Sequence, residues 1–477
     1  MRSRLSAVLK ANDIRGVYPD DLDAPMAYAI GRAIPRCLDA SRVAVARDAR
    51  LSSPELYAAL IRGIEDAGGT TGRLGMCPTE FLYYALGCMD EFDLGVMVTA
   101  SHNPPRYNGF KLCGASATPL GQQALRELLN GVHLDEGADI EPGDPPEQTV
   151  RAGEPYLDYA LRLVDLPGDV ADMEVVVDPG NGVAGVMWEL ITGKTGLDPL
   201  KINFEPDGSF PAHLPDTSKN ENLEALRECV VDGGARLGLA YDGDSDRVAV
   251  VTGEGDIMQA EEAAVAVGSR VLESEGDGRM ALSMAASRSV LDALREQGRP
   301  PVLVPVGHSK VKKAMRRRSE LTFAAESSGH FYYRRFCCCD STLLTTLHLL
   351  ALARDGVLEK TLRDLRRGWH RPESQPSFYY ADPDEAREAC LRVAREMVER
   401  YPDWKEIACE TDGSIRRRRS PGDIAASDGV RVDYADWWFC VRPSGTEPKA
   451  RLMLESRNPG MLQQKLSELQ QLFSDGS

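Results

Sequence analysis

Three carboxylates lie close together in the stretch DGDSDR (242–247), which follows an apolar run. Like charges at Asp242, Asp244 and Asp246 repel one another unless a cation neutralises them, and Mg²⁺ prefers oxygen ligands of this kind. The stretch is not an EF-hand loop, because Gly253 stands where such a loop, counted from Asp242, needs its closing glutamate. These residues predict a magnesium site, with an exposed acidic turn as the alternative.

Magnesium held by three carboxylates keeps open coordination positions, which phosphate oxygens commonly fill. The acidic stretch therefore points to phosphoryl transfer, in which a metal offsets the charge on the moving group. No P-loop for a nucleotide is visible in the sequence. The segment ITGKTG (191–196) ends like one, but Trp188 occupies the position of its first glycine.

A serine beside a histidine is the second candidate for chemistry, in the segment TASHNPPRYNGFK (99–111). A Ser-His-Asp hydrolase is disfavoured, because no acidic partner for His102 is evident and the flanking glycines of a nucleophile elbow are absent around Ser101. A serine that carries a phosphoryl group needs a metal, positive charge and a donor such as Lys111.

Two further loops carry polar groups around a glycine. In AESSGHFYY (325–333), a carboxylate, a hydroxyl and an imidazole could bind sugar hydroxyls. In RPSGTEPK (442–449), an arginine, two hydroxyls and a small turn could surround an anion with side-chain and backbone donors. For each loop, an ordinary structural turn is the alternative.

The elements that position these loops follow one recurrent pattern. Short β-rich runs such as LGVMV (94–98) and LGLAY (237–241) end in polar loops, and helix-like periodicity follows several of them. Strands that alternate with helices predict α/β layers, whose ligands bind at the carboxyl ends of the strands. The C-terminal part of the chain differs, since a helix-rich piece is followed by the stretch DYADWWFCVRPSGTEPKARLMLES and then by the amphipathic MLQQKLSELQQLF, which predicts a smaller α+β domain.

Composition narrows the class of protein. A chain of 477 residues is too long for one core, and its net charge of −17 argues against binding to nucleic acids or anionic membranes. No apolar run is long enough to span a membrane, and no signal peptide is evident. The eleven cysteines show no CxxC pair, which fits free thiols in a reducing cytosol. We expect a cytoplasmic protein.

Four motifs stand in one order along the chain, namely TASHNPPRYNGFK, DGDSDR, ESSGH and RPSGTEP. Together they resemble the α-D-phosphohexomutase family, in its phosphomannomutase/phosphoglucomutase branch. Further matching pieces are DIRG (13–16), ARDARLSS (46–53), VGH (306–308) and DGVRV (428–432). The resemblance covers nearly the whole chain.

The resemblance implies a fold of three related α/β domains and a smaller C-terminal α+β domain around a central cleft. We expect a phosphoserine loop in residues 1–148, a metal-binding loop in 149–253, a sugar-binding loop in 254–370 and a phosphate-binding loop in 371–477.

The resemblance also implies a role for individual residues. Ser101 would be the phosphoserine, and one of its phosphate oxygens would join the three aspartates in binding Mg²⁺. The other implied residues are, at the transfer site, Arg15, Lys111 and Arg247; at the sugar, His308, Glu326, Ser328 and His330; at the nonreacting phosphate, Arg442, Ser444, Gly445 and Thr446.

The implied reaction interconverts hexose 6-phosphate and hexose 1-phosphate of mannose and/or glucose through a bisphosphorylated sugar, with hexose 1,6-bisphosphate as activator. We therefore expect the protein to bind a small phosphosugar. We expect it to be a monomer or a homodimer. The alternatives are a phosphoglucosamine mutase and a non-catalytic sugar-phosphate-binding protein.

The sequence departs from the family pattern at several places. Ser245 stands inside the acidic loop where the family usually has glycine, and Ser341 follows Asp340 where glycine is also usual. The segment SMAAS (283–287) lies where some members carry a substrate-contacting lysine.

Overall fold

The computed structural model consists of two compact units. The first comprises Met1–Arg270 and Ser328–Glu359, and the second comprises Val271–Ser327 and Lys360–Ser477. The residues that the structure describes are 2–10, 12–89, 91–134, 140, 143–276, 278–366, 368–372, 375–411, 414–418, 424, 429–444 and 448–475.

The first sheet of the first unit has three parallel strands in the order β3-β2-β4, extended by antiparallel β5 and β1, with β6 paired to β5. Its strands are β1 (Ile14–Val17), β2 (Arg42–Arg47), β3 (Thr70–Met76), β4 (Leu94–Val98), β5 (Tyr107–Gly114) and β6 (Thr118–Pro119). The helices of this region are α1 (Arg2–Val8), α2 (Ala24–Cys37), α3 (Ser53–Asp66), α4 (Thr79–Cys88) and α5 (Gln122–Asn130).

Helices α2 and α3 pack closely because glycines lie where they meet. A Cβ atom on Gly31 would lie 2.3 Å from the carbonyl oxygen of Leu60, and one on Gly63 would lie 2.1 Å from that of Tyr28. Neither position has room for a larger residue, so the two helices bring their apolar faces together over the sheet.

The second sheet of the first unit repeats the strand pattern of the first. Parallel strands in the order β8-β7-β9 are followed by antiparallel β10 and β11. Its strands are β7 (Val175–Asp178), β8 (Leu200–Lys201), β9 (Leu237–Tyr241), β10 (Val248–Thr252) and β11 (Ile257–Met258). The accompanying helices are α6 (Gly153–Leu163), α7 (Ala184–Thr195) and α8 (Glu224–Gly233), and α9 (Ala260–Glu275) follows them along the chain.

A third parallel set, in the order β13-β12-β14, lies in the second unit. Its elements are β12 (Arg279–Ser283), α10 (Arg288–Glu296), β13 (Val302–Val304), α11 (His308–Arg317) and β14 (Leu321–Ala325). The chain then continues through the antiparallel pair β15 (Phe331–Tyr333) and β16 (Cys339–Asp340) of the first unit, followed by α12 (Thr342–Arg354) and α13 (Val357–Leu365).

The C-terminal region of the second unit is a six-stranded antiparallel sheet in the order β17-β22-β21-β20-β18-β19. Its elements are β17 (Ser377–Tyr379), α14 (Pro383–Arg400), β18 (Glu406–Thr411), β19 (Ser414–Arg418), β20 (Gly429–Asp433), β21 (Trp437–Pro443), β22 (Lys449–Ser456) and α15 (Pro459–Ser474). Buried residues of both helices share a core with this sheet. The three α/β regions and the separate α+β region confirm the fold class that the sequence predicts.

Within the described part of the chain, no helix combines the length and the apolar character that crossing a membrane requires. All eleven cysteines lie in that part, and all are present as thiols.

Candidate active site

Ser101 lies on the turn that follows β4, and its side chain is directed inward. The residue is 1% exposed and has a left-handed backbone, with φ of 50°. Its amide donates a hydrogen bond to Thr99 Oγ1 at 2.8 Å, and its hydroxyl donates to Asp242 Oδ2 at 2.8 Å. The turn therefore presents the serine oxygen to the acidic loop.

The acidic loop begins where β9 ends, and its three carboxylates are buried. One oxygen from each of Asp242, Asp244 and Asp246 lies within 4.8 Å of the other two. The backbone amides of Asp246 and Arg247 donate to Asp242 Oδ1 at 3.0 and 3.1 Å, which fixes the first carboxylate. An exposed acidic turn, the alternative left open by the sequence, is therefore wrong.

The arrangement of these oxygens suits a hard divalent cation. Asp244 Oδ1 is buried and has no hydrogen-bond partner among the described residues, so it is available as a ligand. Burial, with the carboxylates of Asp246 and Asp244, raises the pKa of Asp242 well above its usual range. A bound cation would relieve this repulsion, and an all-oxygen set of donors matches Mg²⁺.

Two cationic side chains contact the same carboxylates. Lys111 Nζ lies 2.5 Å from Asp244 Oδ2 and 2.6 Å from Asp246 Oδ2. Burial lowers the pKa of Lys111, but Asp244 and Asp246 outweigh burial and raise it overall. Asp244 and Asp246 therefore favour the ammonium form of Lys111. Arg247 Nε lies 3.7 Å from Asp242 Oδ2.

The neighbour of the serine is a neutral imidazole. His102 Nδ1 lies 3.1 Å from the hydroxyl of Ser101, but Arg247 and burial hold the pKa of His102 well below its usual range. Arg15 also lies beside this loop, since its Nη1 donates to Asn103 Oδ1 at 2.8 Å. Arg247 and Arg15 thus place positive charge beside the serine loop, which suits a phosphoryl group.

Part of the predicted sugar-binding loop reaches the acidic loop within the first unit. His330 Nε2 lies 3.4 Å from Asp246 Oδ1, and its Nδ1 lies 2.8 Å from Ser328 Oγ. These contacts bring two of the four predicted sugar-binding residues beside the transfer residues.

The second unit carries the remaining predicted residues. Glu326 follows β14, is buried, and accepts a hydrogen bond at 2.5 Å from the amide of Gly307, next to His308. In the C-terminal sheet, Arg442 lies near the end of β21, and the amide of Ser444 donates to the Lys449 carbonyl at 2.8 Å. Gly445 and Thr446 lie outside the described residues.

Family models match this chain along most of its length. Models described as phosphoglucomutase/phosphomannomutase α/β/α domains I, II and III match residues 7–136, 154–255 and 260–371, and the C-terminal domain model matches 406–468. The chain belongs to the phosphoglucomutase/phosphomannomutase family. The matched order of domains agrees with the α/β and α+β regions described above.

Individual members of the phosphoglucomutase/phosphomannomutase family resemble the chain from end to end. The phosphomannomutase/phosphoglucomutase of Pseudomonas aeruginosa is 35% identical over 468 residues, which cover 94% of this chain and 92% of that protein. The phosphomannomutase of Methanocaldococcus jannaschii is 27% identical over 470 residues, covering 98% and 97%. A solved family structure from Burkholderia thailandensis has a TM-score of 0.80 and 28% identity, covering 98% of this chain and 97% of that one.

Arg50, which the sequence motifs left without a role, holds the serine loop of this phosphoglucomutase/phosphomannomutase family member. Its fully buried guanidinium donates to the carbonyl oxygens of Ser101 and Asn103, both at 2.6 Å, and to those of Pro104 and Tyr107 at 2.8 and 3.0 Å. The sequence held one indication of this role, because Asp48 and Arg50 of ARDAR (46–50) come directly after the carboxyl end of a strand, β2.

Asp48 completes this support for the serine loop. It accepts a hydrogen bond from Arg50 Nε at 3.0 Å and another from Thr99 Oγ1 at 2.7 Å. Thr99 in turn accepts from the amide of Ser101. The Asp48–Arg50 pair therefore fixes both the backbone and the direction of the serine.

Proposed function

We propose that this family member interconverts hexose 6-phosphate and hexose 1-phosphate, with mannose and/or glucose as the sugar, through a phosphoserine at position 101. The observation that carries the proposal is the 2.8 Å hydrogen bond from the Ser101 hydroxyl to Asp242, in a buried loop of three carboxylates. The names of the relatives from P. aeruginosa and M. jannaschii support the same activity.

In the proposed reaction, the bond between phosphorus and Ser101 Oγ breaks as a bond from phosphorus to the oxygen of the free sugar hydroxyl forms, and the proton of that hydroxyl ends on Ser101 Oγ. The product is a bisphosphorylated sugar, which returns its other phosphate to Ser101 Oγ. Lys111, Arg15 and Arg247 hold the negative charge of the moving group, since all three lie beside the serine and acidic loops. Hexose 1,6-bisphosphate would prime the unphosphorylated serine.

Asp242, Asp244 and Asp246, with an oxygen of phosphorylated Ser101, would hold Mg²⁺. The ion would offset charge on the phosphoryl group during transfer. Support comes from the spacing of the carboxylate oxygens and from the unpartnered Asp244 Oδ1 within the described residues.

The remaining predicted residues are proposed as ligands of the sugar and of the phosphate that does not react. For the sugar hydroxyls we propose His308, Glu326, Ser328 and His330, which offer imidazole, carboxylate and hydroxyl groups. For the nonreacting phosphate we propose Arg442, Ser444, Gly445 and Thr446.

We also infer domains at 1–148, 149–253, 254–370 and 371–477, and a monomer or homodimer in the cytoplasm. The eleven thiols support a reducing compartment. Limited proteolysis tests the domain boundaries, and light scattering tests the oligomeric state.

The test of the proposed function is an assay with the 1-phosphates of glucose, mannose, glucosamine and N-acetylglucosamine, each with Mg²⁺ and its 1,6-bisphosphate. We expect conversion of glucose and/or mannose 1-phosphate, and phosphate on Ser101 by peptide mass analysis. A preference for glucosamine 1-phosphate would make glucosamine, rather than glucose or mannose, the sugar of the proposed substrate. Absence of conversion for all four, with no phosphate on Ser101, would overturn the mechanism.

A further inference from the structure

Two departures from the family pattern, Ser245 and Ser341, lie in one buried hydrogen-bond network. Ser245 Oγ lies 3.1 Å from Thr342 Oγ1, and Ser341 Oγ lies 2.6 Å from the hydroxyl of Tyr156. Both Thr342 and Tyr156 donate to Glu80, at 2.7 and 2.9 Å. The two unusual serines are thus connected through one carboxyl group.

Ser245 lies between the proposed metal ligands and has a backbone conformation that favours glycine. Its φ is 57°, in the left-handed region, and the residue is fully buried. The Thr342 hydroxyl lies 3.0 Å from the Ser245 carbonyl oxygen as well as 3.1 Å from its Oγ. Thr342 therefore contacts both oxygens of Ser245 and can hold this turn in place.

Glu80 is the centre of the network. It lies in the first turn of α4 and is 1% exposed. Besides Thr342 and Tyr156, the backbone amide of Leu343 donates to its two oxygens at 3.1 and 3.2 Å. Among the described residues, no lysine, arginine or histidine is hydrogen-bonded to it, and burial raises the pKa of Glu80 to about 7.

We propose that Glu80 is a positioning residue for the metal-binding loop and acts through Thr342 on Ser245. The inference rests on the proposed function, because it assigns Glu80 to the support of the magnesium site. Helix α4 already contacts this loop next to Glu80, since the amide and hydroxyl of Thr79 donate to the carbonyl and Oδ2 of Asp244 at 3.0 and 2.8 Å. Glu80 extends that contact to Ser245.

The number of protons in the network explains why a carboxyl group suits this position. The Thr342 hydroxyl has one proton but two strong oxygen acceptors, Glu80 Oε1 and the carbonyl oxygen of Ser245, besides Ser245 Oγ, which can donate to it, and the more distant sulfur of Met187. When Glu80 is protonated it can donate to Thr342, which then donates to the Ser245 carbonyl, so that each oxygen is satisfied. The amide of a glutamine can donate in the same direction.

The experiment measures Mn²⁺ binding to the unphosphorylated full-length protein by electron paramagnetic resonance, so the readout is independent of turnover. Thr342→Val removes the hydroxyl but keeps the shape of the side chain. We expect about a 10-fold weaker affinity for Mn²⁺, the lower end of the loss that follows when a group supporting a metal ligand is removed. Thr252→Val is the matched control. It removes a buried hydroxyl at the last residue of β10 that accepts a hydrogen bond from the amide of Asp256 at 3.2 Å, and we expect unchanged Mn²⁺ affinity.

Two more variants separate positioning from a general loss of packing. In a Ser245→Gly background, the glycine adopts the left-handed conformation without strain, so the turn depends less on Thr342. Thr342→Val should then weaken Mn²⁺ binding by less than about 2-fold, because the effects of coupled residues are not additive. Glu80→Ala should weaken binding as Thr342→Val does, whereas Glu80→Gln should retain it.

Mutase activity of the wild-type protein is measured alongside. If the wild type is active and the Thr342→Val variant binds Mn²⁺ as tightly as the wild type, the positioning role of Glu80 and Thr342 is wrong while the mutase assignment stands. An equal loss from Thr342→Val in the wild-type and Ser245→Gly backgrounds, or equal losses in Glu80→Gln and Glu80→Ala, would also overturn the role.

Discussion

The hydroxyl of Ser101 donates a hydrogen bond to Asp242 Oδ2 at 2.8 Å, although 141 positions separate the two residues. The serine comes from the loop after β4 of the first sheet, and the aspartate from the loop after β9 of the second. The proposed phosphoryl carrier thereby lies beside the carboxylates that the proposed function assigns to a metal. His102, the adjacent residue in sequence, contributes a neutral ring rather than a charged one.

Replacing Ser101 by alanine removes the proposed phosphoryl carrier. We expect Ser101→Ala to lower kcat by at least about 10³-fold, because the covalent step is lost, and to abolish phosphate incorporation from glucose 1,6-bisphosphate. Intact-mass measurement and a coupled assay check both results. Ser274→Ala, at an exposed serine of α9, should incorporate phosphate as the wild type does. Phosphorylation of the Ser101→Ala protein to the wild-type extent would show that the carrier lies elsewhere.

Arg50 should affect the rate of phosphorylation at Ser101 more than substrate affinity. Its guanidinium holds four carbonyl groups of the serine loop. We expect Arg50→Met to lower kcat by about 10²-fold, the effect of a small misplacement of a reacting group, with a smaller change in KM.

Rapid-quench measurement of Ser101 phosphorylation tests the same role directly. Arg50→Lys, which retains the charge but has fewer donors, should fall between Arg50→Met and the wild type. A wild-type rate of phosphorylation in a folded Arg50→Met protein would contradict the role.

His213 makes the stability of the first unit depend on pH. Its Nε2 lies 3.0 Å from Asp178 Oδ2 and its Nδ1 lies 2.9 Å from the Leu214 carbonyl, so both nitrogens face acceptors and the imidazolium is favoured. The hydrogen bond to Asp178 raises the pKa of His213, although burial opposes it. The stabilisation is therefore complete below the unfolded pKa of about 6.5 and is lost as pH rises through the higher folded value.

Urea denaturation at several pH values checks this sign. The advantage of the wild type over His213→Gln should be largest at acidic pH and should decrease as pH rises. The matched control is His133→Gln, at an exposed histidine, which separates loss of the contact with Asp178 from loss of an imidazole in general. A wild-type advantage over His213→Gln that grows towards alkaline pH would disprove the assignment.

Arg431 should stabilise the second unit. Its buried guanidinium donates to both oxygens of Asp433, at 2.8 and 2.9 Å, and to the carbonyl of Ala286 at 2.5 Å, and it lies 3.8 Å from the ring centroid of Trp438. Arg431→Met removes one of the two guanidinium partners of the buried Asp433 carboxylate and leaves Arg288 as the other, so we expect the free energy of unfolding to fall by about 1.5–3 kcal/mol.

Tryptophan fluorescence during urea denaturation measures this loss, because four of the five tryptophans lie in residues 360–477. Arg318→Met breaks an exposed ion pair with Glu320 and should cost only about 0–1 kcal/mol. Equal losses in the two variants would rule out a special contribution from the buried pair.

The sequence by itself determined the fold class and the family. Apolar runs such as LGVMV and LGLAY predicted strands, and the polar residues that follow them, including Ser101 and Asp242, lie in loops at strand ends as expected. These features are local, since a strand, a turn and a helix depend on residues close together in the chain. The ordered motifs indicated the family, and the domain matches confirmed it.

Only the tertiary structure decided which of these loops meet and what each side chain does there. It placed Lys111 between two carboxylates, and it gave Arg50 four carbonyl partners. It also brought the hydroxyl of Thr342 within 3.1 Å of Ser245 Oγ, across 97 positions of the sequence. Such contacts depend on strand order and on the packing of separate elements, and burial then sets the charge of each group.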